Sequence, residues 1–274
     1  MDIEELEKKA VEIRKATWKM IYRAKTGHTG SDLSCADILV ALYYQVLNQK
    51  ADDFKNENRD RYIQSKGHAV EVLLNILADK GYFPKDDLLT YSQFKSKYIG
   101  HPNNHVNGIE MNTGSLGHGL ALSVGVAKAA KMDHKNYHTY TLMGDGEQAE
   151  GSVWEAAMAA SNFKLDNLTA IIDHNGLQIS GKTTDVMNSE PLKAKYEAFG
   201  WNVVEVDGND MKQLISAFNV GPVKDKPTLI LADTVKGKGV SFAENKAEWH
   251  HKVPTEEQYQ EALNEFDQEL EETR

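Results

Sequence analysis

The sequence is poor in the features that mark several protein classes. Cys35 is its single cysteine in 274 residues. A disulfide framework and a thiolate metal cluster are therefore excluded. No apolar run approaches the roughly 20 residues of a membrane-spanning helix. The first stretch, MDIEELEKKAVEIRK, is charged and helix-forming, unlike a secretory signal. An excess of positive charge is also lacking. The formal net charge is −10, spread along the chain, which is the opposite of a nucleic-acid footprint. No internal repeat, low-complexity tract or linker stands out. No GxGxxG follows the first expected strand, which counts against a dinucleotide fold. The expectation is a cytoplasmic protein with no membrane or nucleic-acid partner. With a negative chain, an anionic ligand would need local help from a metal ion, backbone N–H groups and a few His or Lys.

Hydrophobic residues make up 41 % of the chain, which suits a globular fold. Apolar spacing predicts helices over Asp2–Lys25, Leu33–Leu47, Ala69–Lys80, Leu120–Lys131, Glu150–Lys164, Pro191–Phe199 and Met211–Phe218. Buried strands are expected at Tyr62–Ser65, His138–Met143, Asn167–Asp173, Trp201–Val206 and Thr228–Ala232. Alternating strands and helices predict a three-layer α/β/α fold with a mostly parallel sheet. Pro254-Thr255 starts a terminal Glu-rich helix that reads as a solvated face. Ser31 is placed to cap the helix after it.

The organising stretch is Met143–Gly181. A strand ends on Gly144-Asp145-Gly146, a helix follows, and the next strand ends on His174-Asn175-Gly176. In an open parallel sheet, ligands bind beyond the carboxyl ends of the strands. Asp145 and Asn175 are expected to meet there. A carboxylate and an amide carbonyl are hard oxygen ligands of the kind Mg²⁺ takes together with phosphate oxygens. Gly144 and Gly146 would let the backbone approach a bulky anion. Gly176 permits a turn that brings the Leu177 carbonyl to the same ion. The pattern reads as a magnesium–diphosphate site. Other polar groups fall in expected loops: His68 and Lys236 each follow a strand and so belong at the sheet top, while His28 and His101 lie in turns beside glycines. Gly114-Ser115-Leu116 opens a helix, whose free N–H groups suit an anion or a ring nitrogen.

GDGEQAEGSVWEAA followed by DHNGLQISG resembles the thiamine diphosphate signature in its transketolase form. The resemblance runs over essentially the whole chain, residues 1–274, and corresponds to the first, diphosphate-binding domain of full-length transketolases. It implies Mg²⁺ (or Ca²⁺ or Mn²⁺) on Asp145, Asn175 and the Leu177 carbonyl. It implies Ser31, His68, Gly114, Ser115, Leu116, Gly146, Glu150, Asn175, Lys236 and His250 as cofactor contacts, with Glu150 in a glutamate network across a dimer interface. His28, His68, His101 and His250 would line a sugar funnel, where neutral imidazoles pass protons near pH 7. His250 directly follows Trp249 and is preferred to its neighbour His251. Thr29 stands where most members have Pro, and a looser turn is expected there. His118 stands where the family usually has Gln. The implied activity is two-carbon ketol transfer from a ketose to an aldose, in pentose phosphate and related carbohydrate metabolism. The glutamate that activates the cofactor belongs to the family's second, pyrimidine-binding domain. A split enzyme is therefore expected, with a C-terminal partner subunit in a heterotetramer of two of each. A deoxyxylulose-phosphate synthase-like enzyme, the α subunit of an oxo-acid dehydrogenase and a noncatalytic diphosphate-binding module remain rival readings.

Overall fold

A computed structural model describes residues 1–272. The chain opens with helices α1 (Ile3–Ala24), α2 (Thr29–Ser34) and α3 (Ala36–Ala41), then strand β1 (Arg61–Gln64) and helix α4 (Val70–Asp79). Next come α5 (Gly119–Met132), β2 (Thr139–Gly144), α6 (Gly151–Asn162) and β3 (Leu168–His174). A short hairpin, β4 (Leu177–Gln178) with β5 (Gly181–Lys182), leads to α7 (Thr183–Val186) and α8 (Leu192–Ala198). The last elements are β6 (Asn202–Asp207), α9 (Met211–Phe218), β7 (Thr228–Asp233) and α10 (Glu256–Glu272). Most boundaries fall within one or two residues of the sequence expectation.

The main sheet has the order β1-β2-β3-β7-β6, with every pairing parallel. Its period of two sorts the core. Leu142, Ile171 and Ile230 stand in register and pack with α1, α3, α4 and α9 on one face. Met143, Ile172 and Leu231, one residue on, pack with α5, α6 and α8 on the other. Burial of each such side chain contributes about 1.5–3 kcal/mol. Both faces are covered, so these strands are almost continuously apolar. Among the described residues no helix is long and apolar enough to cross a membrane.

Three expectations need correction. The helix expected over Leu33–Leu47 is broken at Cys35 and ends in a π-helical turn, Leu42–Val46. The Ser34 hydroxyl and the Cys35 thiol both donate back to the Ser31 carbonyl, at 3.2 Å each, a pattern that bends helices. Ser31 caps nothing, because α2 already begins at Thr29. The terminal helix is more than a solvated face. Ala262 and Phe266 are fully buried in a cluster with Trp18, Leu33 and Trp249, which docks α10 beside α1.

At the upper end of the sheet a buried ion pair joins four segments. Lys66, just after β1, pairs with Asp173 in β3, and both are inaccessible to solvent. Asp173 also accepts from the Ser34 hydroxyl at 2.6 Å and from the Thr234 hydroxyl just after β7. Lys66 donates to the Ser31 carbonyl at 3.0 Å. Burial opposes charge on both partners, but each offsets that cost for the other. Asp173 is held below its ordinary range and Lys66 above its own. Removing one member of such a pair strands a buried charge. We predict that Lys66→Met lowers unfolding free energy by about 3–5 kcal/mol, read by urea denaturation. An unchanged midpoint would contradict this.

Candidate active site

The loops after β1, β2, β3 and β7 converge on one cavity of about 350 Å³. Each strand delivers its polar end there because the parallel sheet aligns their carboxyl termini. The loop after β1 brings Lys66 and His68, and that after β2 brings Asp145, Gly146 and Glu147. The loop after β3 brings Asn175 and Leu177, and Lys236 follows β7. His28 and Ser31 enter from the turn into α2, Gly114 and Leu116 from the loop before α5, and His250 from a 3₁₀ turn, Ala247–His251. Ser31, His68, Gly114, Leu116, Gly146, Asn175, Lys236 and His250 therefore meet in one place.

One end of the cavity is an oxygen cluster. Asp145 is 3 % exposed and accepts the N–H groups of Gly146, at 2.8 Å, and of Gly176. Burial, and then the charge of Asp173, push its carboxyl up to about 6. The Asn175 side-chain oxygen accepts the Leu177 N–H at 3.1 Å, around a turn with Gly176 at φ 71°. The Leu177 carbonyl faces the Lys236 ammonium at 3.4 Å. Burial, and then Lys66, lower Lys236 to about 8.

The other end is a cluster of imidazoles. The His28 ring centroid lies 5.2 Å from that of His68, 5.5 Å from His250 and 6.2 Å from His101. Lys236 lies 3.1 Å from His250 Nδ1. An ammonium can only donate, so Nδ1 accepts and the neutral ring carries its proton on Nε2. Burial is the main cause that lowers all four histidines, with His28 near 4 and His250 near 3. All four are neutral at pH 7.

The remaining expected residues lie elsewhere. Ser115 is exposed and lines a separate surface groove with His118. Glu150 is exposed at the N-terminus of α6, outside the cavity. Glu147, which the sequence reading did not single out, lies inward. It is 2 % exposed and accepts from the Ser65 hydroxyl and from the N–H groups of Gly117 (2.8 Å) and Gly144 (3.1 Å). A 3₁₀ turn, Gly146–Ala149, rotates Glu147 in and leaves Glu150 out. The Gly146 N–H is already given to Asp145, and a Cβ there would lie 2.7 Å from Gln178 Oε1. Gly146 thus makes room for the β4–β5 hairpin while lining the cavity. Thr29 does not loosen its turn: it is fully buried, and its hydroxyl donates to the Lys252 carbonyl at 2.7 Å. His101 stays exposed at the rim. Sequence reading missed Lys66, Glu147 and Gln178, and it set second to His250 the neighbouring His251, whose ring lies 4.6 Å from His28. Lys66 at the end of a buried strand was the one available signal.

The family profile described as transketolase, thiamine diphosphate binding domain, matches residues 6–270. The chain belongs to the transketolase family. It is 49 % identical over 272 residues to an apulose-4-phosphate transketolase subunit of Phocaeicola vulgatus, covering 99 % of this chain and 97 % of that one. It is 40 % identical to a 6-deoxy-6-sulfo-D-fructose transketolase subunit of a Clostridium species, covering 97 % of each chain. The solved transketolase of Campylobacter jejuni superposes with a TM-score of 0.93 at 33 % identity. That match covers 97 % of this chain but 43 % of the Campylobacter chain. The chain thus spans nearly the full length of the two relatives named as subunits and less than half of a solved transketolase.

The depressed histidines set a pH dependence for this transketolase-family chain. A histidine whose folded value lies below its ordinary 6.5 stabilises the fold above 6.5 and loses that contribution as pH falls through its folded value. For His28 the window runs from 6.5 to about 4. His28→Gln in the isolated chain is predicted to flatten the fall of Tm across that window, measured by calorimetry. An unaltered slope would contradict the assignment.

Proposed function

We propose that this chain is the thiamine diphosphate-binding subunit of a two-component transketolase that moves a two-carbon ketol unit between sugars. The observation that carries the reading is the two-ended cavity, with oxygen donors and Lys236 at one end and neutral imidazoles at the other. The donor set fits a divalent cation with a diphosphate. Asp145, Asn175 and the Leu177 carbonyl are hard oxygen groups. The Leu177 carbonyl already draws a cationic group, Lys236, to its side. Asp173 is matched by Lys66, and the buried Asp145 carboxyl is the group whose charge a divalent ion would neutralise.

Asp145, Asn175 and Leu177 would hold the cation, and Lys236 would meet the diphosphate. Ser31, His68, Gly114 and Leu116 would line the rest of the cofactor's path. Bound thiamine diphosphate supplies a nucleophilic carbon and a sink for the electron pair of the broken carbon–carbon bond. This chain's part is to orient the sugar and move its hydroxyl protons. His28, neutral at pH 7, can accept a proton on one ring nitrogen or donate one from the other, while His250, whose Nδ1 is engaged by Lys236, can donate from Nε2. His68 and the rim residue His101 extend the same surface. The glutamate that activates the cofactor is assigned to a partner subunit. Two relatives named as subunits match this chain nearly end to end, which supports that assignment. The donor is proposed to be an anionic ketose, phosphorylated or sulfonated, by analogy with the sugars in those names.

The purified chain alone is expected to transfer no ketol unit, and to gain activity when its partner subunit is added. Full activity of the lone chain would overturn the two-component reading. His28→Ala is predicted to lower kcat of the complex by about 10²–10⁴ while leaving cofactor affinity nearly intact. An equal loss in both would remove His28 from proton transfer. Asp145 must be ionised to bind a cation, so Mg²⁺-dependent cofactor affinity should weaken as pH falls through about 6, measured by calorimetric titration. Affinity that is level across pH 5.5–7.5 would contradict this.

A further inference from the structure

Directly beneath His28 lie two carboxyl groups with no role in the site described above. Asp32 in α2 and Glu71 in the first turn of α4 are both fully buried. Asp32 Oδ1 accepts the Val72 N–H at 2.8 Å and so caps α4 from another element. Glu71 Oε1 accepts the Tyr91 hydroxyl at 2.5 Å. The His28 backbone N–H also points at the Glu71 carboxylate. The two remaining oxygens, Asp32 Oδ2 and Glu71 Oε2, meet no other donor, and the two side chains lie within hydrogen-bonding reach of each other. Two ionised carboxylates in this position would repel strongly without solvent to screen them. A single proton between them resolves both orphaned oxygens at once.

We infer that Asp32 and Glu71 share one proton, Asp32 donating it to Glu71, and that this pair positions the His28 turn. Glu71 is the ionised member because the donors gather on it: the Asp32 O–H, the Tyr91 O–H, its own backbone N–H and the His28 N–H. Asp32 has the Val72 N–H on its carbonyl oxygen and its own proton on the other. The charged group facing the pair from outside is Lys66, which acts on Asp32 from the loop after β1. Tyr91 faces it from the end of the 3₁₀ segment Lys85–Thr90, and Ile21 of α1 lies beside Glu71 over Gly27. Burial and the mutual repulsion of the two acids raise Asp32 well above its usual range, in keeping with a retained proton.

The link to His28 is steric as well as polar. Gly27 has φ 154°, and a Cβ there would lie 2.6 Å from Ile21 Cγ1 and 2.9 Å from Glu71 Oε1. Only a glycine lets the backbone pass this close over the carboxylate. The passage fixes where His28 leaves the turn, and Thr29 anchors the far side through Lys252. The carboxyl pair thus acts through His28 without touching the cavity.

Infrared spectroscopy of the full chain at pH 7 tests the proton directly. The wild-type spectrum is expected to carry a protonated-carboxyl C=O band that disappears in Asp32→Asn and in Glu71→Gln. Both substitutions keep the shape and a donor between the two side chains. Identical carboxyl bands in wild type and Asp32→Asn would overturn the shared proton. The positioning role rests on the ketol-transfer reading and is tested in the complex. Asp32→Ala leaves Glu71 charged and short of a donor, and kcat should fall about tenfold with little change in KM. Asp32→Asn should recover most of that loss, because its amide N–H replaces the acid O–H. Equal damage in both variants, or none in Asp32→Ala, would overturn the positioning role. If Asp32→Ala does not fold, the comparison of Asp32→Asn with wild type decides the outcome, with a full loss of turnover counting against it. The infrared result needs no activity, so a failure of the pair is distinguishable from a failure of the functional reading.

Discussion

The site depends on the buried ion pair between Lys66 and Asp173. Asp173 sits at the upper end of the central strand and gathers donors from three other segments: Lys66 after β1, Ser34 in α2 and Thr234 after β7. Lys66 in turn holds the Ser31 carbonyl. Loops at strand ends have few backbone partners of their own, and here a shared charge supplies the missing order. The arrangement is costly to assemble, because two charges leave water, and it is specific for the same reason. Partial loss leaves an unpaired charge with no solvent to relieve it.

That pair also sets the electrostatics of the cavity. Burial is the larger cause of each shift, and the pair adds to it: its carboxylate pushes the Asp145 carboxyl further up, and its ammonium pushes Lys236 and the nearby imidazoles further down. The result is a separation of roles within one pocket. Oxygen donors at one end gather around the buried Asp145 carboxyl and the Leu177 carbonyl, with Lys236 beside them. Imidazoles at the other end are kept neutral and able to exchange protons. A cavity with a cation-seeking end and a proton-handling end suits a ligand that joins a diphosphate to a reactive ring. Membership of the transketolase family and the overlap with a solved transketolase support the same reading independently.

Much of this was legible in the chain because parallel sheets leave clear marks. The apolar runs TYTLM and LTAIID, each ending on a polar cluster, placed β2 and β3 and the meeting of Asp145 with Asn175. The positions that escaped are those set by contacts distant in sequence. Nothing local to Cys35 signals a helix break, which depends on Ser34 and Cys35 turning back to Ser31 and on Ser34 reaching Asp173. Glu147 and Glu150 look alike in sequence, and a single 3₁₀ turn decides which one is buried. Phe266 occupies a Glu-rich helix, and only Trp18 and Trp249 from elsewhere reveal its buried face. Thr29 reads as a weak turn residue until the Lys252 carbonyl is seen beside it.

The most direct test of the central claim is a crystal structure of the complex with thiamine diphosphate and Mn²⁺, locating the metal by its anomalous scattering. One metal peak is expected against Asp145, Asn175 and the Leu177 carbonyl, with the diphosphate beside Lys236 and the cofactor ring toward His28. A metal peak away from Asp145, or a diphosphate bound outside this cavity, would contradict the two-ended site.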